Sequence, residues 1–483
     1  MADIFITKKS ESEILLITNN VIILDNIRRR FSVKIPNVFY MPRYKKTHWD
    51  GKVYFIKGNI APYGLLFEIL KYCKLNNYTY ELNFEFKNNI DEDKIQTFIK
   101  YQNLPYDLHP YQFKSITDVL KYGKLNIELP TGSGKTLIAY LLVKYFLNKK
   151  ILIIVPRINL LEQMYGDFKN YGFSDIEKYV FCKYTGEEFS KDKNIYISTW
   201  QSVYKLDKEF FKQFDVLIVD EAHSLKGNEL FKISKQTSNA KFKIGLSGTF
   251  GKYKEYDWYQ EVAAIGPVVN YINYKQLQEL KQIPDFKVKV LILNYPKEII
   301  DKFYEYVGKD FRKEQDFINS CNLRNNFLLK MSQDLSKNSI FLFTFKEKHG
   351  KILYDLMKDN QSKKVFYIDG DTSAEDRELI RDVLENNDNV MGLASFGIFA
   401  EGVSVKNLHN IILASNYKSR IKILQSIGRG LRMHENKNIV KIFDVVDNFK
   451  SDIYSNYSLK HLKERIKVYK EKQIPYEIVE INL

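Results

Sequence analysis

Cysteine is scarce in this chain of 483 residues, which has only Cys73, Cys182 and Cys321. The three are odd in number, far apart and in no CxxC pair, which argues against a disulfide framework and a structural zinc site. A reducing, cytosolic setting is the expectation. No run approaches the roughly 18 apolar residues that a membrane span needs, and Met1–Thr18 scatters charges where a secretory leader is apolar. A soluble protein without membrane anchor is expected. Internal repeats and low-complexity linkers are missing too. Acidic residues are outnumbered, 59 against 74 basic ones, leaving a formal charge of +15. Such a surplus suggests an anionic polymer as partner, nucleic acid being the commonest. A coding bias that enriches Lys, Asn, Ile and Tyr together is the alternative, and charge alone does not choose between them.

The apolar residues that are present come in short runs. Leu125–Leu129, Ile151–Val155, Ile195–Ser198, Val216–Val219 and Phe242–Leu246 alternate with helical patterns, and the alternation restarts with Ser339–Phe345, Val365–Ile368, Val390–Ala394, Ile411–Ala414 and Ile439–Val445. Strands alternating with helices predict parallel sheets built from βαβ units and covered on both faces. The expected organisation is a basic N-terminal domain over 1–100, a first α/β core over 101–282 and a second over 283–483. The stretch around Gly266, Pro267 and Pro284 reads as the connection between the cores.

Leu129-Pro130-Thr131-Gly132-Ser133-Gly134-Lys135-Thr136 follows the first strand and leads into a helical pattern, the setting a P-loop requires. Glycines let the backbone curl so that successive N–H groups face phosphate oxygens, and the helix N-terminus favours the anion. Gly132, Ser133 and Gly134 would form the cradle, Lys135 would reach the β- and γ-phosphates of ATP, and Thr136 would offer its hydroxyl to Mg²⁺. Leu129 departs from the glycine usual at that position, but the inner glycines remain. Further on, Asp215–Val219 reads as a buried strand that delivers Asp220-Glu221-Ala222-His223 at its carboxyl end, where parallel sheets place ligands. Asp220 suits Mg²⁺, and Glu221 is the candidate base for the attacking water. His223 either couples nucleotide state to a neighbouring domain or is a hydrogen-bonded histidine at a helix start.

With these motifs in order, the chain resembles a superfamily 2 helicase over roughly residues 106–445. The resemblance implies two tandem RecA-like domains and ATP-driven work on nucleic acid. His109-Pro110-Tyr111-Gln112 resembles the adenine-reading element, Gln112 being able to pair with two adenine positions at once. Pro156 and Arg157, then Thr199 and Gln201, fall in the strand-contacting motifs, and Leu246-Ser247-Gly248-Thr249 resembles the motif that couples hydrolysis to movement. In the second core, Thr344 and Thr372 sit where the family touches the nucleic acid backbone. Gly402, in Glu401-Gly402-Val403-Ser404, belongs to a motif facing ATP and strand; Ser404 departs from the aspartate of many RNA-directed relatives. Gln425, Arg429 and Arg432 lie in Gln425-Ser426-Ile427-Gly428-Arg429-Gly430-Leu431-Arg432. The arginines are three apart, so on a helix they share a face and can both reach the γ-phosphate. Arginines in that role raise rates by roughly 10³–10⁵ in related NTPases.

A narrower resemblance is to the UvsW-like phage recombination helicases, through Thr199-Trp200-Gln201-Ser202, the Glu-Gly-Val-Ser motif and the N-terminal region. There Arg28, Arg29, Arg30, Arg43, Lys45 and Lys46 gather with Tyr40, Tyr44 and Trp49, and Asp50 is the one acid after Asp25 up to Lys52. Cations release counterions from phosphates and aromatics stack on exposed bases; the alternative is a solvated basic face with Trp49 in a core. The resemblance implies a monomeric motor that tracks one strand of branched or forked DNA in phage replication, recombination and repair, in the host cytoplasm. RNA or RNA–DNA hybrids as substrate, the motor subunit of a restriction system, and an ATP-gated clamp remain as other readings.

Overall fold

Apolar runs such as Ile151–Val155 have no polar face to give to water, and each ends up in the middle of a parallel sheet. The computed structural model describes residues 2–183, 192–223, 228–359, 363–401, 405–451 and 454–483, and the statements below concern those residues. The chain divides into two compact units, Met1–Leu129 with Gly134–Tyr271, and Pro130–Ser133 with Ile272–Leu483.

The strands run β1 (Ile4–Lys8), β2 (Glu13–Ile17), β3 (Ser32–Lys34), β4 (Lys52–Tyr54), β5 (Ile60–Pro62), β6 (Tyr80–Leu82), β7 (Lys124–Glu128), β8 (Ile151–Val155), β9 (Val180–Lys183), β10 (Ile195–Thr199), β11 (Val216–Asp220), β12 (Phe242–Ser247) and β13 (Val268–Asn270) in the first unit. In the second they run β14 (Asp285–Asn294), β15 (Ser339–Phe343), β16 (Lys364–Ile368), β17 (Val390–Ser395), β18 (Asn410–Leu413), β19 (Ile439–Asn448) and β20 (Tyr476–Asn482). Two seven-stranded sheets result, ordered β13-β7-β12-β11-β8-β10-β9 and β16-β17-β15-β18-β19-β14-β20. Every pairing in both is parallel. These are the two α/β cores that the alternation predicts, and the RecA-like pair that the resemblance implies.

A smaller sheet, β5-β2-β1-β6, precedes them. Its strands alternate, and Ile4, Ile6, Ile14 and Leu16 form the buried face. That face packs with Ile23 and Ile27 of helix Val21–Arg30 and with Leu66 and Ile69 of helix Leu66–Leu75. The same cluster includes Trp258, Tyr259, Val262 and Ala263 from helix Tyr256–Ala264 of the first core. Gly64 sits so close to the Val262 carbonyl that a Cβ there would collide with backbone, so the small domain and this helix pack without a gap.

Gly266 and Pro267, read from sequence as part of the connection, are instead fixed into the first sheet. Asn126 of β7 donates its side-chain N–H to Gly266 O at 2.7 Å and its backbone N–H to Pro267 O at 2.9 Å. Gly and Pro broke the helical pattern here in order to start β13.

The second unit is built around a buried ion pair. Arg324 and Asp447 are both fully buried, with Nε 2.7 Å from Oδ1. Arg324 also donates to Ala414 O (2.7 Å), and Asp447 accepts from Tyr295 Oη (2.7 Å) and Asn416 Nδ2 (3.2 Å). Arg324 Nη1 lies 3.3 Å from Nε2 of His349. Burial first, and the neighbouring guanidinium second, hold the His349 pKa well below its ordinary value. The ring is therefore neutral: Nε2 accepts from Arg324, and Nδ1–H donates to Ser415 Oγ at 2.8 Å. Ser415 Oγ in turn accepts the Thr344 N–H at 3.1 Å. One desolvated arginine thus ties β19 to the loops that follow β15 and β18.

Removing one member of a buried pair strands the other charge, which costs about 3–5 kcal/mol. Arg324→Met is expected to lower the stability of the second unit by that much in urea unfolding. A loss below about 1 kcal/mol would show that the pair is dispensable.

Candidate nucleotide and nucleic-acid site

The carboxyl edge of the first sheet is where the predicted nucleotide residues meet. β7 and β12 stay paired to the last moment: Leu129 donates its N–H to Ser247 O at 2.9 Å. Beyond that bond the chains diverge, one into the P-loop and the other into Gly248 and Thr249. Helix Lys135–Tyr145 starts at Gly134, whose φ of +79° is a left-handed conformation. Gly132 is also left-handed, at +87°. Ser133 is buried and its hydroxyl donates to Pro130 O at 2.6 Å, which ties the loop to itself. Lys135 Nζ donates to Leu129 O at 3.1 Å, so the ammonium rests on the carbonyl at the head of its own loop. Thr136 follows on the first helical turn.

Gln112 lies on helix Pro110–Tyr122 and is buried. Its Oε1 accepts the His109 N–H at 2.9 Å, and its Nε2 would lie 2.5 Å from a Cβ placed on Gly134. The sequence predicted an adenine-side residue, and the structure sets it against Gly134 at the start of helix Lys135–Tyr145.

β11 ends at Asp220, and Glu221 turns out of the sheet with φ +49°. A non-glycine residue in that region stores roughly 1–3 kcal/mol of strain, a cost that concentrates at functional sites. The Asp220 carboxyl is pushed up to about 7, first by burial and then by Glu221, while Lys135 opposes the shift. His223 Nδ1 is 3.0 Å from Ser247 Oγ and 3.3 Å from Glu221 Oε2. The single Ser247 hydroxyl proton goes to Thr249 O at 2.6 Å, so His223 Nδ1–H is the donor to Ser247. His223 therefore bonds to the residue that the sequence assigned to coupling.

The donor set fits a hard cation that arrives with a nucleotide. Thr136 offers a hydroxyl and Asp220 a carboxylate, oxygen ligands of the kind Mg²⁺ takes alongside phosphates and water. Among the described residues, no three His, Cys, Asp or Glu side chains gather as an all-protein cage.

Other predicted residues are placed as follows. Arg157 stands just before helix Ile158–Asn170, and it is exposed beside the half-buried Pro156. Thr199 is buried with its hydroxyl 3.0 Å from Ser202 Oγ, whereas Gln201 is exposed. Thr372 is held in a tight turn by Asp369, whose Oδ1 accepts the Thr372 N–H at 3.2 Å. Gln425 and Arg429 share a face of helix Arg420–Gly430. Arg432 does not: the helix ends at Gly430 and Leu431 is its cap. The argument that both arginines lie on one helical face fails there, because a Gly-rich end terminates the helix before the second arginine. Gly402 and Ser404 lie outside the described residues.

In the N-terminal region, Arg28, Arg29 and Arg30 form the last turn of helix Val21–Arg30, where cations oppose the helix dipole. Arg29 pairs with Asp25 at 2.8 Å, and Arg30 donates to Tyr259 Oη of the first core. Arg43, Lys45 and Lys46 are exposed. Trp49 is half-buried, with Arg43 4.9 Å over its ring and its Nε1–H donated to Lys52 O. Beside them Phe39 and Met41 are exposed, as is Tyr40 at 80%. Sequence reasoning passed over Phe39 and Met41; their sole signal was apolar residues inside a basic run.

Comparison with known proteins places the chain among related sequences and folds. The family described as type III restriction enzyme, res subunit, matches residues 105–252, and the helicase conserved C-terminal domain matches residues 323–434. The ATP-dependent DNA helicase uvsW of Enterobacteria phage T4 is 32% identical over 485 residues, covering 95% of each chain. The crystal structure of T4 UvsW superposes with a TM-score of 0.52 at 29% identity, covering 99% of each chain. The DNA 3'-5' translocase XPB2 of Sulfurisphaera tokodaii is 26% identical over 410 residues, 77% of this chain and 88% of that one.

Gly134→Ala should test the phosphate loop. A side chain at that φ costs about 1–2 kcal/mol, and it would also press on Gln112. The loop relieves this by leaving the cradle geometry, so ATP affinity should fall about tenfold or more in a titration with a fluorescent analogue, with circular dichroism unchanged. Unaltered affinity would contradict the assignment of the loop.

Proposed function

The chain belongs to the superfamily 2 helicases of the UvsW kind, and on that footing we propose that it hydrolyses ATP to move along and remodel DNA. The observation that supports this reading best is the joined cluster on the first sheet's carboxyl edge. Lys135, Glu221, His223 and Ser247 come from motifs far apart in sequence, and close polar contacts link the last three.

In this reading Gly132, Ser133 and Gly134 cradle the phosphates, and Lys135 exchanges Leu129 O for a phosphate oxygen. Gln112 recognises the adenine. Thr136 and Asp220 hold Mg²⁺, which when bound neutralises phosphate charge and favours the ionised form of Asp220. Glu221 orients and deprotonates the attacking water, its backbone strain keeping the carboxylate turned out of the sheet. Gln425, Arg429, Arg432 and Gly402 serve the same hydrolysis by the family resemblance, the arginines countering charge that develops on the γ-phosphate. Pro156, Arg157, Thr199, Gln201, Thr344 and Thr372 track the strand. Arg28, Arg29, Arg30, Arg43, Lys45, Lys46 and Trp49 add contacts from the N-terminal region, with forks and recombination junctions as substrates. The reading makes the protein a monomeric motor of the cytoplasm.

Steady-state ATP hydrolysis tests it, with single-stranded, forked and four-way DNA compared with RNA and an RNA–DNA hybrid at fixed salt. Branched DNA should stimulate most. Lys135→Ala should abolish turnover, and Glu221→Gln should lower it by about 10²-fold or more while ATP still binds. Near-normal turnover in either variant would refute the mechanism, and stimulation mainly by RNA would refute the substrate.

The N-terminal contacts have their own signature. Replacing Lys45 and Lys46 by Ala should weaken DNA binding alike for all sequences. It should also flatten the plot of log affinity against log salt by about 0.7–0.9 for each phosphate no longer neutralised. An unchanged slope would remove these lysines from the interface.

A further inference from the structure

Helix Tyr256–Ala264 has two loyalties. Its Trp258, Tyr259, Val262 and Ala263 belong to the hydrophobic core of the N-terminal domain. Tyr259 is buried, stacks on Phe55 at 5.5 Å and meets Phe31 edge-on at 6.2 Å. Its hydroxyl accepts from Arg30 Nη1 and donates to Arg30 O at 3.3 Å, a two-way bond to the end of the basic helix. Two residues further along, Glu261 belongs to the hydrolysis side. It is fully buried, and its Oε2 accepts the Gly251 N–H at 2.7 Å. Glu128, the last residue of β7, accepts the adjacent Phe250 N–H at 3.1 Å. Two buried carboxylates thus grip consecutive N–H groups of the turn that begins with Ser247. Ser247 accepts from His223, which lies beside Glu221.

The result is one connected series within the first unit: Arg30, Tyr259, the helix backbone, Glu261, Gly251, the Ser247 turn, His223, Glu221. We infer that this helix carries nucleic acid occupancy of the N-terminal domain to the hydrolytic centre, with Tyr259 and Glu261 as positioning residues. The inference rests on the reading that the N-terminal domain binds DNA. A helix is stiff along its axis, and buried hydrogen-bonded charges resist small displacements at a high energetic cost. A shift of Arg30 on binding phosphate is therefore passed to the Ser247 turn rather than absorbed. Coupling of this kind is reciprocal: whatever DNA does to nucleotide affinity, nucleotide must do to DNA affinity by the same factor.

Tyr259→Phe keeps the ring stacking and removes only the link to Arg30. In the full chain, its basal ATP turnover and its DNA affinity without nucleotide should stay within about twofold of wild type. Its stimulation by forked DNA should fall about fivefold or more, and the effect of an ATP analogue on DNA affinity should shrink by the same factor. Glu261→Ala should lower DNA-stimulated kcat with the KM for ATP unchanged. Glu261→Gln, which retains an oxygen for the Gly251 N–H, should restore most of it. Wild-type stimulation in Tyr259→Phe, or no recovery in Glu261→Gln, would overturn the inference. A Lys45→Glu/Lys46→Glu variant separates the two failures. If it binds DNA and is stimulated normally, the N-terminal DNA reading is wrong; if it is impaired while Tyr259→Phe is not, the relay alone is wrong.

Discussion

The hydrogen bond from Leu129 N–H to Ser247 O is the last rung between β7 and β12, and the chemistry of the first unit depends on where that ladder stops. Parallel strands present all their carboxyl ends on one edge, so loops distant in sequence meet there without any contact of their own to bring them together. The register Glu128↔Ser247 and Asp220↔Leu246 sets the P-loop, the acidic strand end and the coupling turn at one level. A slip of one residue would turn every side chain of a strand to the opposite face. Strands as apolar as Ile151–Val155 resist that less by alternation than by the fixed lengths of the βα connections on either side.

This explains which parts of the protein were legible in sequence. The central strands stood out because both their faces are buried, and continuous apolar runs bounded by turn residues have few other uses. β14 and β20 did not stand out. Asp285–Asn294 opens with lysines alternating with Phe and Val, and Tyr476–Asn482 spaces glutamates among isoleucine and valine. β20 lies at the edge of its sheet, and β14 opens with exposed Asp285 and Lys287, so both interrupt their apolar residues with charge, whereas β8, β10, β15 and β18 carry none. The motifs of the nucleotide site were legible because each is local: a loop with its glycines, a strand with acids at its end. What could not be read is what joins them. Arg30 and Tyr259 are separated by 229 positions, and no periodicity in either segment announces the other. Arg432 shows the opposite error, a helical spacing carried past the point where Gly428 and Gly430 end the helix.

The site also shows where the fold gives up stability. Glu221 is held at a positive φ, and the Asp220 carboxyl is driven toward protonation by burial beside a second acid. Lys135 spends its ammonium on a backbone carbonyl. A bound phosphate would draw Lys135 forward, and a cation held with it would stabilise both carboxylates in their charged form. A site whose own groups are strained gains differential binding energy when a ligand relieves them, which is the requirement for nucleotide to shift a conformational equilibrium at all.

The N-terminal domain is attached to the first core in a way that makes such a shift communicable. At the amino edge of the sheet, Lys124 and Lys243 are buried. Lys124 pairs with Glu11 at 2.7 Å, and Lys243 donates to Ser12 Oγ at 2.7 Å, both partners lying in the turn between β1 and β2. Burial, opposed by Glu11, pushes the Lys124 ammonium down to about 8, and burial also pulls Lys243 down. A second attachment runs through helix Tyr256–Ala264, whose Glu261 holds the turn after β12. One point of contact would leave a hinge. Two separate contacts, each involving groups that are costly to expose, leave the domain no soft rotation relative to the core. A load applied to the basic surface must therefore be borne by the sheet, and the element best placed to yield is the turn from Gly248 to Gly251, gripped by carboxylates but beyond the last rung of the ladder.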